Sequence, residues 1–199
     1  MDELGLFPLG IVLLPTEQVP LHIFEPRYRE LIGECIEEGR EFGLVYADED
    51  GIRELGTRAR VAAVLERFDD GRLNVVVTGG ERFVVERLTK GRTFMTAEVD
   101  GVVDESGEAD AETRATAAGA FRALAALAGA DTDVDEEAPE LSFALAAQVE
   151  LPPDSKQRLL ESRSEQERLE LVAELLDAAR RTLIATRELS EKAKRNGHR

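Results

Sequence analysis

Apolar residues in the first half of the chain fall in short extended runs with one helical stripe set among them. The string Pro20-Leu21-His22-Ile23-Phe24-Glu25-Pro26 reads as extended backbone leading into a helix start, because Pro26 keeps Glu25 out of the α region while its own fixed φ suits a first helical position. Tyr28, Leu31, Ile32, Cys35 and Ile36 then repeat at i, i+3, i+4, i+7 and i+8, and Gly39 closes the stripe. β-Branched or aromatic runs follow at Phe42 to Tyr46, Thr57 to Phe68, Arg72 to Thr78, Phe83 to Leu88 and Thr93 to Val99. Asp69-Asp70-Gly71 and Gly79-Gly80 carry hairpin-turn chemistry, so these runs predict a mostly antiparallel, curled sheet.

Past Val103 the pattern changes. Asp104, Glu105, Ser106, Gly107, Glu108 and Asp110 form a polar connection, after which Ala-rich residues 111 to 129 place Phe121, Leu124 and Leu127 at helical spacing. Pro139 to Gln148 predicts a short helix, and Pro152-Pro153-Asp154 starts another that runs to Ser162. Ser164 with Glu167 forms the capping box of a long last helix carrying Leu169, Val172, Leu176, Ala179 and Leu183. The organisation expected is a β-rich subdomain over residues 1–103, a linker over 104–111 and a helical subdomain over 112–199.

Taken in order, these segments resemble one family. Leu6-Phe7-Pro8-Leu9-Gly10-Ile11-Val12-Leu13-Leu14-Pro15 followed by the Pro20 to Leu31 string resembles the start of the N-terminal substrate-binding domain of Lon proteases. Gly56 to Val61, Gly71 to Val77 and Gly80 to Phe83 resemble its middle strands, and Leu141 to Ala146 its helical half. The resemblance implies an α+β fold: a PUA-like antiparallel β pseudo-barrel with one inserted helix, followed by a C-terminal α-helical bundle. It also implies a non-enzymatic module that binds protein or peptide segments as an adaptor or holdase, with proteolytic machinery among its partners. The sequence contains no Gly-x-x-x-x-Gly-Lys-Ser/Thr phosphate loop, and its adjacent Ser155-Lys156 reads as helix surface rather than as nucleophile and base. A stand-alone substrate domain without ATPase or peptidase activity is the expectation.

Composition narrows the partners. With 25 Lys+Arg against 41 Asp+Glu among 199 residues, the net charge of −16 opposes phosphate backbones, so nucleic acid is not expected to bind, although some PUA-like folds bind RNA. No apolar run is long enough to span a bilayer and no basic-then-apolar leader opens the chain, which predicts a cytoplasmic protein with no membrane partner. Cys35 is the single cysteine; it sits on the apolar stripe, where an inert buried thiol is expected.

Little in the chain suggests catalysis. The two histidines, His22 and His198, cannot form a metal pair with one cysteine, and His22 reads as a packing residue. The acidic stretch Asp131 to Glu137 lacks the central Gly and twelfth-position Glu of a calcium loop and reads as a solvated turn. No catalytic residue, metal site or cofactor is predicted. For partner binding, Phe7, Phe24, Arg27 and Tyr28 are the candidates, placed on a groove beside the first helix, with Arg27 as the cation for a carbonyl or carboxylate. Structural roles compete with this around the helix start: Tyr28 opens the buried stripe, Arg27 can pair with a nearby carboxylate, and Glu25 suits the helix dipole. The alternative function is a regulatory domain that binds a small molecule or nucleotide in a cleft between its two halves.

Overall fold

The computed structural model describes residues 2–196; the side chains of residues 191 and 193–196 lie outside that description, as does His198. So, in the basic tail, do Arg199 and the side chains of Lys194 and Arg195. The chain divides into two compact units: Met1–Glu105 with Ala146–Arg163, and Ser106–Leu145 with Ser164–Arg199.

In the first unit, strands β1 (Asp2–Leu9), β2 (Gln18–Ile23), β3 (Phe42–Asp48), β4 (Gly51–Arg67), β5 (Leu73–Thr89) and β6 (Met95–Gly101) form one mixed sheet in the order β2-β5-β4-β3-β1-β6. An added β5–β6 pairing closes β5, β4, β3, β1 and β6 into a barrel and leaves β2 on an edge. All pairings but one are antiparallel. β1 runs parallel to β3, because β2 and helix α1 (Pro26–Glu38) fill the connection between them and let the chain return in the same direction.

Helix α1 starts at Pro26 and ends at Gly39, whose φ of 66° is the left-handed conformation of a helix stop. Its stripe of Tyr28, Leu31, Ile32 and Cys35 packs into a core with Phe7, Leu13, Phe42, Leu44, Val75 and Val77. A second core of Leu4, Leu6, Val45, Phe83, Ala97 and Val99 is supplied by β1, β3, β5 and β6.

The expected hairpin at Gly79-Gly80 is not there: β5 runs unbroken through both residues. The reason is close backbone approach. A Cβ on Gly79 would lie 2.1 Å from the Leu14 carbonyl oxygen, and Gly79 exchanges backbone hydrogen bonds with the preceding loop, its N–H to Glu17 O and its carbonyl from Thr16 N–H, both 2.9 Å. Asp69-Asp70-Gly71 is the turn, with Gly71 at φ 86° and the Phe68 N–H bonded to Arg72 O at 3.0 Å.

In the second unit, α2 (Ala111–Ala128) packs on α5 (Glu165–Asn196). Asp110 caps α2 by accepting the Thr113 N–H at 2.7 Å, a bond that holds its carboxyl below the usual range, and Ser164 Oγ accepts the Glu167 N–H at 3.3 Å before α5. Phe121, Leu169, Val172 and Leu176 are buried, as is most of the short α3 (Leu141–Ala146). The Arg168 guanidinium lies in the interior, held by Glu165 Oε2 at 2.7 Å and Ser142 Oγ at 3.0 Å and stacked 4.5 Å from the Phe143 ring centre.

The expectation that everything after residue 111 belongs to the helical half meets a difference at 146–163. This segment, with helix α4 (Pro153–Glu161), groups with the strands. Buried Arg82 on β5 binds it directly, donating to the carbonyls of Leu160 at 2.6 Å and Ser162 at 2.7 Å and pairing with Asp104. A hydrophobic helix pattern specifies a buried face but not which neighbour buries it.

Candidate functional site

The loop between β1 and β2 is unusually fixed for a connection. Thr57 Oγ1 donates to Leu13 O at 2.6 Å, and the two bonds with Gly79 hold Thr16 and Glu17. Thr16 sits at φ 68°, the one non-glycine residue in the left-handed region among those described, a conformation that needs surrounding contacts to persist. Its position turns Glu17 inward. There Glu17 Oε2 accepts the Leu14 N–H at 2.9 Å, and Oε1 pairs with Lys156 Nζ from α4.

Lys156 reaches this carboxylate because the Pro152-Pro153 step sets the start of α4: the N–H groups of Ser155 and Lys156 bond to Pro152 O, which fixes the first turn. The side chains of Glu17 and Lys156 are only 9% and 12% exposed. The pair lines a cleft of about 550 Å³, to which the chain around β2 contributes Ile11, Val12, Val19 and Pro20 and the chain before α4 contributes Val149 and Leu151. Glu150 is exposed at its rim. An apolar concavity with a few convergent polar groups is the usual form of a binding site.

Of the residues proposed from sequence, Phe7 and Tyr28 are brought together in the core, ring centroids 4.1 Å apart. Burial raises the Tyr28 hydroxyl's pKa, with Arg27 lowering it and Glu25 raising it to lesser extents. Both rings are buried. Phe24 and Arg27 are on the surface, Phe24 at 58% exposure and stacked beside His22 at 5.9 Å, Arg27 over the Tyr28 ring and paired with Glu25 at 2.8 Å. Phe68 meets His22 edge-on at 6.0 Å, and Arg72 covers the Phe68 ring, so His22 and Phe24 extend into a small aromatic surface cluster.

Sequence reasoning missed the cleft. Lys156 was expected on the helix surface, and nothing local to Glu17 announces a partner 139 positions away. The available signal was the polar Thr16-Glu17 step after Pro15, set between two apolar runs. Cys35 matches its expected character, its thiol pushed up to about 11 chiefly by burial. Among the described residues no group of His, Cys, Asp and Glu is arranged to hold a metal ion, and no helix is long and apolar enough to cross a membrane.

A closed barrel with an edge strand, an inserted helix and an apolar cleft is an α+β architecture. The sequence profile described as the ATP-dependent protease La (LON) substrate-binding domain matches residues 3–178, and the chain belongs to that family. It is 27% identical to Lon protease 2 of Myxococcus xanthus and 28% identical to the Lon protease of Anaeromyxobacter dehalogenans, each over 96% of this chain and 25% of the relative. The chain thus spans a quarter of the length of these curated relatives. Among solved structures, a Lon N-terminal domain protein from Xanthomonas campestris is similar with a TM-score of 0.68 and 27% identity, covering 85% of this chain and 96% of that one. The N-terminal domain of a Mycobacterium avium complex Lon protease shares the fold, with a TM-score of 0.65 at 21% identity over 88% of this chain and 98% of that one.

Proposed function

We propose that this protein is a recognition module for segments of other protein chains, acting as an adaptor or holdase without chemistry of its own. The observation that carries the reading is the apolar cleft lined by Ile11, Val12, Val19, Pro20, Val149 and Leu151, seen in a chain of a substrate-binding family. A segment in extended form would lay apolar side chains against Val19 and Val149 and lose little by doing so, since unfolded chains expose such side chains anyway. The surface pair Phe24 and Arg27 forms a second, smaller contact area in this proposal.

Anisotropy of a labelled, unstructured apolar peptide tests it. Val149→Glu, at a half-buried position outside the barrel core, should weaken binding at least fivefold with the melting temperature preserved, whereas Val19→Glu, whose side chain also packs against that core, should lower both. Unchanged binding in both would remove the cleft from the function. A second reading, a small apolar ligand in the same cleft, is favoured by its volume, which falls in the range typical of such sites. Stabilisation by one compound in a thermal-shift panel, with no peptide binding, would select it.

A further inference from the structure

Three features of the cleft concern charge rather than apolar area. Lys156 carries three N–H donors, and among the described residues its one polar partner is the Glu17 carboxylate. Glu17 is in turn occupied on both oxygens, by Lys156 and by the Leu14 N–H. The two charges cancel, which leaves the Glu150 carboxylate at the rim as the uncompensated one, on a chain of net charge −16.

Resting on the segment-binding reading above, we propose that the cleft selects extended apolar segments flanked by lysine or arginine, with Lys156 donating to a backbone carbonyl and Glu150 meeting the flanking cation. The chemistry favours a carbonyl over a carboxylate at Lys156. A carbonyl is neutral and takes a spare donor without disturbing the ion pair, whereas a ligand carboxylate would compete with Glu17 for the same ammonium and bring a second negative charge beside it. An acidic flank would face Glu150 and the field of the whole chain, while a basic flank is drawn by both. Apolar complementarity supplies the affinity; the charges supply the choice among segments.

The test uses three labelled peptides with one apolar core and flanks of Lys, Gln or Glu, measured by anisotropy at low salt and at about 0.5 M salt, where screening shortens the reach of surface charge to a few ångströms. The expected result is Lys-flanked binding tighter than Gln-flanked by roughly fivefold, Glu-flanked weaker still, and the order compressed in high salt. Glu150→Gln, at an exposed site, should reduce the Lys-over-Gln preference. Lys156→Met should weaken all three alike. Because that change strands a buried carboxylate, the double variant Glu17→Gln with Lys156→Met provides a folded comparison that lacks the donor and should show the same uniform loss. Equal affinity for all three peptides, or a preference that survives Glu150→Gln intact, would overturn this inference and leave segment binding standing. Absence of binding for every peptide would overturn both.

Discussion

The rings of Phe7 on β1 and Tyr28 on α1 lie stacked, with centroids 4.1 Å apart and planes 29° from parallel, and so join the first strand to the inserted helix. Both are buried in the core of the first unit. Phe7→Ala should therefore cost about 3 to 5 kcal/mol of stability, and any loss of peptide binding should track the loss of fold. Phe24→Ala and Arg27→Ala, at exposed positions, should stay within about 0.5 kcal/mol of the parent. Urea unfolding of the variants beside peptide anisotropy separates scaffold from contact surface.

Arg82 binds the returning segment 160–162 through two backbone carbonyls and reaches Asp104 as well. Arg82→Met removes the donors to the buried Leu160 carbonyl and the half-buried Ser162 carbonyl, at a cost of about 1 to 3 kcal/mol. Hydrogen exchange should then rise first over residues 153–163 and the loop at 102–105. Uniform loss of protection across the whole first unit would contradict the assignment of Arg82 as the holder of this segment.

Gly79 and Gly80 are adjacent and should respond differently. A Cβ at Gly79 meets the Leu14 carbonyl oxygen at 2.1 Å, while at Gly80 the nearest atom is 3.5 Å away. Gly79→Ala should destabilise by roughly 1 to 3 kcal/mol or more, because the approaching atom is backbone that cannot swing aside, and Gly80→Ala should be close to neutral. Since the displaced loop carries Glu17, Gly79→Ala should also loosen the cleft, read as weaker peptide binding at temperatures where the variant remains folded.

Burial holds the Cys35 thiol near 11, above its ordinary value of 9.0. The fold thus favours the neutral thiol, and the corresponding stability is fully present below pH 9 and lost as the pH rises through 11, where the unfolded chain has already released its proton. Alkylation at pH 8 should proceed only as fast as the protein opens. The melting temperature of the parent should fall more steeply between pH 9 and 11 than that of Cys35→Ala; parallel curves would show that the thiol does not contribute.

The positions of α1, α2 and α5 were legible from residue order because their signals are local. Pro26, Gly39 and the apolar stripe between them fix a helix through backbone sterics and period alone, and the same holds for Ser164 with Glu167. The strand runs were legible too, and so was the family, whose pattern is the ordered sum of such local signals. Tertiary structure decided what each face meets. Gly79 carries the same residue code whether it turns a chain or admits a neighbouring carbonyl, and only the nearness of Leu14 distinguishes the two. Phe7 and Tyr28 became core, and Lys156 turned from presumed surface to the partner of Glu17, because burial depends on elements far apart in sequence that no local period encodes. The cleft belongs wholly to this second kind, since its walls come from residues 11–20 and 147–156 and exist only when the chain has returned to the barrel.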